Sequence, residues 1–183
     1  MLVNTYIAWL RGINVGGNKV IKMQDLKATL GILPFRNVRT YIQSGNVIFE
    51  SEALTGDGLA EMISGKIQET FGFEVPVMIR SLEELEAVIA GNPFPQSEQE
   101  AYKRLYVSFL AAEPAAEALE KLRPYEDGAD KLRVIGRELY AFYEVSVSES
   151  PLFKVPFDKL LGTALTARNW NTLNKVAVLA RKP

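Results

Sequence analysis

Two short stretches of the chain have no polar face. In residues 5–10, Ile7 and Trp9 fall on one parity and Tyr6, Ala8 and Leu10 on the other, and Val47-Ile48-Phe49 behaves the same way. A strand of this kind must be covered on both sides, which places it inside a sheet. The segments around them alternate in type. After the first strand and a loop, Met23, Leu26, Leu30 and Leu33 share one side of a helical pattern that Gly31 closes. Residues 38–42 and 46–50 read as two strands joined by the turn Gln43-Ser44-Gly45. Leu59, Met62, Ile63, Ile67 and Phe71 recur at helical spacing, and residues 75–79, which contain Pro76, read as an edge strand. The order is β-α-β-β-α-β with strands one and three central, which predicts a ferredoxin-like plait with spatial order four-one-three-two.

Ser81-Leu82-Glu83-Glu84 is a capping box that opens a further helix, closed by Gly91. The Pro-rich stretch Asn92-Pro93-Phe94-Pro95-Gln96-Ser97 follows. This divides the chain into a module over residues 1–91, a linker over 92–102 and a second module over 103–183. The grammar then repeats: a strand at 105–110, a helix after Glu113-Pro114, strands at 132–135 and 139–143 around Gly136-Arg137, and helices at 157–161 and 167–180. No fourth strand is evident there. The expected fold class is α+β, as two tandem ferredoxin-like (α/β plait) modules, the second lacking a clear fourth strand and ending in C-terminal helices.

Two absences limit the chemistry. The 183 residues include no cysteine and no histidine, which removes thiolate nucleophiles, Cys or His metal sites, disulfides and histidine acid-base catalysis. No metal site is expected, and no cofactor or catalytic residue is assigned. The net charge of −1 argues against a protein held on nucleic acid by bulk positive charge. No run reaches the ~18 apolar residues of a membrane span, and the N-terminal stretch lacks the pattern of a signal peptide. The expected place is the cytoplasm, away from membranes.

The net charge hides an uneven distribution. Residues 1–24 carry Arg11, Lys19 and Lys22, residues 159–183 carry Lys159, Arg168, Lys175, Arg181 and Lys182, and all 22 carboxylates lie between. If the two ends meet they form a region suited to an anion; otherwise they are two solvated surfaces. The loop Arg11-Gly12-Ile13-Asn14-Val15-Gly16-Gly17-Asn18-Lys19 is not a P-loop, because Asn18 follows the glycines where lysine is required and Val20 replaces the hydroxyl. Gly16 and Gly17 can still bring backbone N–H groups close to an anion, with Arg11, Asn14 and Lys19 around it. A crossover that needs positive φ explains the same glycines. In the C-terminal segment, Thr166 is a good N-cap, which would set Arg168 in a first helical turn against the macrodipole. An anion held there by Arg168, Asn169 and Asn171 resolves the conflict, as does a salt bridge from Arg168. Ser44 and Asn46 sit at the hairpin tip, where a turn explains both.

The segments Tyr6-Ile7-Ala8, Leu10 to Gly17, Val38 to Val47 and Thr166 to Thr172 together resemble the bacterial DUF 1697 family. The likeness spans nearly the whole chain, and it implies a two-module α/β-plait architecture and a cytoplasmic bacterial protein, with no known activity. The expected function is binding of a small anionic ligand, a nucleotide or phosphorylated metabolite, between the glycine-rich loop and the C-terminal Arg168-Asn169-Trp170-Asn171-Thr172 helix. The alternatives are an enzyme using Ser44, Lys19 or Tyr41 in the same cleft, and a nucleic-acid-binding module, which is possible but not favoured.

Overall fold

The expected interior strand is β1, Asn4–Leu10, whose Ile7, Ala8, Trp9 and Leu10 are all fully buried. It pairs antiparallel with β3, Asn46–Ser51, on one side and with β4, Val77–Ser81, on the other. β2, Arg36–Tyr41, lies beyond β3, so the order is β2-β3-β1-β4, with β1 and β3 central as their two apolar faces require. The computed structural model, which describes residues 2–52 and 55–182, shows a mixed α+β chain with two four-stranded antiparallel sheets. It divides into two compact units: residues 1–87 with 175–183, and residues 88–174.

In the first unit, α1 (Met23–Leu30) and α2 (Gly56–Phe71) cover the sheet face that carries Ala8, Leu10, Val47 and Phe49. α2 begins where Thr55 Oγ1 accepts from the Gly58 N–H and ends at Gly72 in the left-handed conformation. Its Leu59, Ile63 and Ile67 stack on one stripe of the helix and are fully buried, each contributing about 1.5–3 kcal/mol of burial. The capping box is formed: Ser81 N–H donates to Glu84 Oε2 at 2.8 Å and Glu84 N–H to Ser81 Oγ at 3.0 Å, opening α3, Leu82–Ala90. Pro76 lies just ahead of β4 rather than within it, which leaves its carbonyl to accept the Arg11 N–H.

The second unit contains β5 (Leu105–Leu110), α4 (Ala116–Leu122), β6 (Lys131–Ile135), β7 (Glu138–Phe142), α5 (Phe157–Leu161) and β8 (Leu165–Asn169). Its sheet order is β6-β7-β5-β8. The expectation that this unit lacks a fourth strand is therefore corrected. Residues 165–169 pair with β5 in unbroken register from Tyr106↔Asn169 to Leu110↔Leu165. They escaped recognition because the inward positions are Thr166 and Arg168, polar residues in a place where apolar ones are the usual signal. The helix expected over 167–180 shortens to α6, Trp170–Ala180. The Pro-rich stretch falls within this unit: Phe94 is buried, its N–H donates to Asn92 Oδ1, and the Arg133 guanidinium sits 5.8 Å from its ring centre.

The two sheets share a feature of register. Across the first, Arg39, Ile48, Ile7 and Arg80 form one row. Across the second, Arg133, Tyr140, Val107 and Arg168 form the equivalent row. Arg80 and Arg168 are both buried, and each donates Nη1 to the carbonyl of the residue before it, Ile79 at 2.8 Å and Ala167 at 2.9 Å.

Tyr140 and Tyr143 are buried in the second unit, where Tyr140 Oη donates to the Val88 carbonyl at 2.7 Å. Burial, with Glu138 adding, lifts Tyr140 well above the usual phenol range. Burial, then Asp130 and Tyr106, pushes Tyr143 up to about 12. An unfolded phenol ionises near ~10, so above that pH the folded chain keeps protons that the unfolded chain loses. The contribution of these groups to stability is complete below pH ~10 and declines as pH rises through the folded value. In a phenolate absorbance titration, two of the seven tyrosines should ionise late or only on unfolding; seven coincident ionisations near pH ~10 would contradict the burial.

Candidate functional site

Beyond β1 the chain forms a loop closed at its neck by one side chain. Asn14, at φ 56°, accepts the Ile21 N–H on Oδ1 at 2.8 Å and donates Nδ2 to the carbonyls of Ile21 at 3.0 Å and Gln43 at 2.8 Å. Its own N–H donates to the Lys19 carbonyl at 3.1 Å. Ile13 and Ile21 are buried below. Above the neck, Val15 and Asn18 form a bridge across Gly16 and Gly17, whose φ values of 59° and 77° fit a two-residue type I′ turn. A Cβ at either glycine would meet nothing within 4 Å, so left-handed φ rather than close approach calls for glycine there. Lys19 is exposed and its Nζ donates to the Glu74 carbonyl; Lys22 is exposed, and Arg11 is half-buried at the root of the loop.

The hairpin tip packs under this loop. At Gly45, φ 89°, a Cβ would stand 2.8 Å from both Ile13 Cδ1 and Leu10 Cβ, so here glycine is required by approach as well as by φ. Asn46 is fully buried and donates Nδ2 to the Tyr41 carbonyl at 2.8 Å and to Ser44 Oγ at 3.1 Å. Arg11, Asn14, Gly16, Gly17, Lys19, Ser44 and Asn46 thus lie in one unit, on the loop and the hairpin that Asn14 ties together. Two of the polar members, Asn14 and Asn46, have their side chains engaged in holding backbone.

Arg168, Asn169 and Asn171 lie in the second unit. The expected cap at Thr166 is corrected: Asn169 caps the helix, accepting the Thr172 N–H on Oδ1 at 2.8 Å. Arg168 is on β8, opposite Val107, and not within a helical turn, so the placement from which the charge conflict was inferred is corrected. Its Nη1 donates to Thr166 Oγ1 at 2.8 Å and to the Ala167 carbonyl at 2.9 Å, and burial lowers its pKa to about 10. Asn171 is exposed, and the Trp170 ring stacks on Tyr102 at 5.9 Å. Sequence reasoning passed over Arg80, although a lone cation ending the apolar run Val77-Met78-Ile79 was a signal, and over Arg39, for which the strand pattern held none.

The α+β architecture has a counterpart among solved structures. The conserved bacterial protein SP0830 from Streptococcus pneumoniae matches with a TM-score of 0.73 at 23% identity, over 98% of this chain and 100% of that one. At this identity the likeness concerns the fold alone. The family described as a protein of unknown function, DUF1697, matches residues 3–140, and the chain belongs to that family. No curated protein matches. Among the described residues no helix is long and apolar enough to cross a membrane.

The two constraints at this end of the first unit should separate on mutation. Asn14→Ala removes three side-chain hydrogen bonds and is expected to cost about 2 kcal/mol in urea unfolding, with faster amide exchange at Ile21. Gly45→Ala adds a clash to a strained φ and should cost about 1–3 kcal/mol or more, against about 1 kcal/mol for Gly16→Ala, where φ alone is at stake. Equal costs at the two glycines would show that the tip does not pack as described.

Proposed function

We propose that the protein binds a small anionic ligand, a nucleotide or phosphorylated metabolite, on the basic loop of its first unit. One observation carries this reading: a loop held shut by Asn14 exposes Gly16, Gly17, Lys19 and Lys22 in a stretch, residues 1–24, that contains no carboxylate. A loop already fixed loses little entropy on binding. In this reading the glycine N–H groups and the lysines meet the anion, Arg11 adds charge from the root, and Asn14, Ser44 and Asn46 position the backbone. Arg168, Asn169 and Asn171 are a separate polar cluster of the second unit, where Asn171 offers an exposed amide. Each unit is read as a ferredoxin-like plait, supported by its β-α-β-β-α-β order and by the sheet orders β2-β3-β1-β4 and β6-β7-β5-β8.

The test is a thermal-shift screen of nucleoside phosphates and sugar phosphates. A true ligand at 100-fold over its Kd should stabilise by about 2.7 kcal/mol, and Lys19→Ala should remove most of that gain. Arg168→Ala, measured beside it, reports any share taken by the second unit. A flat response to the whole panel, or a gain untouched by Lys19→Ala, rejects the loop as the site.

A further inference from the structure

We propose that the cleft between the last turn of α1 and the edge strand β2 binds a second kind of ligand, a small oxyanion carried on an apolar group. The cleft encloses about 440 Å³ and is lined by Lys27, Gly31, Phe35, Asn37, Val38 and Arg39. Its charged lining is two cations with no carboxylate. The hollow on the other side of Phe35 is the opposite case: Glu50 and Glu52 line it together with Arg36, and Arg36 is ion-paired with Glu52. The lining of that hollow carries two carboxylates against one arginine, whereas the lining of the cleft carries positive charge that no carboxylate in it balances.

Arg39 gives the cleft its chemistry. Its Nη1 donates to the carbonyls of Leu179 at 2.7 Å and Lys182 at 3.2 Å, capping the end of α6. Its Nε and Nη2 are buried and, among the described residues, have no hydrogen-bond partner. A guanidinium edge shielded from water and left unbonded is costly, and Nε with Nη2 is the edge that receives a carboxylate or phosphate through two parallel hydrogen bonds. An oxyanion entering the cleft draws that edge toward it, while Lys27 adds a point charge from the exposed face of α1. Phe35 is fixed by stacking on Phe49 at 4.3 Å and offers a half-buried ring to the apolar part of the ligand. The cleft lies where β2 breaks register between Arg36 and Arg39, with Asn37 at φ 51°.

The site is independent of the loop reading, and amide NMR of the full chain distinguishes them. The probes are phenyl phosphate, benzoate and inorganic phosphate. Phenyl phosphate should shift the amides of Gly31, Asn37, Val38 and Arg39 saturably, more tightly than inorganic phosphate does, and leave Gly16 and Gly17 in place. Benzoate binding as tightly assigns a carboxylate ligand, and weaker binding assigns a phosphate. Lys27→Ala, on an exposed side chain, should weaken binding about tenfold with the melting temperature unchanged; Arg39→Lys, which keeps charge but loses the fork, should weaken it as well. Shifts confined to Gly16 and Gly17 would reject the cleft and favour the loop. Absence of saturable shifts at the cleft amides with both aromatic probes, or binding unaffected by Lys27→Ala, overturns the proposal.

Discussion

Each sheet is built on a first strand whose central residues are shielded from water on both faces, and that constraint reaches the buried polar groups beside them. With Ile7, Ala8, Trp9 and Leu10 all fully buried, the neighbours of β1 cannot rely on solvent to satisfy their donors. Asn46 therefore bonds to the Tyr41 carbonyl and Ser44, and Arg80 bonds to the carbonyl beside it in its own strand. The second sheet repeats the arrangement around Val107, with Arg168 in the place of Arg80. A buried arginine thus stands at the same register in both sheets. It also means that removing either guanidinium acts on the sheet as well as on any ligand.

The loop after β1 shows how one amide can do the work of a disulfide in a chain without cysteine. Asn14 bonds across the neck to Ile21 and outward to Gln43, which ties the loop to the hairpin tip. Its left-handed φ is one that Asn tolerates better than most residues. The glycines divide into two physical classes: Gly16 and Gly17 permit a turn, whereas Gly45 admits the side chains of Leu10 and Ile13.

Much of the first unit was legible because its signals are local and redundant. The interior character of β1 and β3, the Ser81 to Glu84 capping box and the stripe of Leu59, Ile63 and Ile67 each follow from spacing alone, and they agree with one another. β8 was illegible for the opposite reason. Its inward residues are Thr166 and Arg168, and only pairing with β5, distant in sequence, reveals that polar groups can stand there. The same error moved the helix start from Trp170 to Ala167 and set Arg168 inside a first helical turn, where it does not lie. The candidate residues of the loop were visible as a motif, but the commitment of Asn14 and Asn46 to backbone was not, since it depends on which carbonyls the fold brings near.

The kink at Asn37 has a consequence for the protein in company with its own copies. β2 is an outer strand of its sheet, with backbone groups that another chain could extend. The break in register there, with arginines at 36 and 39 on either side, leaves no straight apolar template for a neighbour to zip onto. The irregularity beside the cleft thus also makes this edge a poorer template for strand pairing.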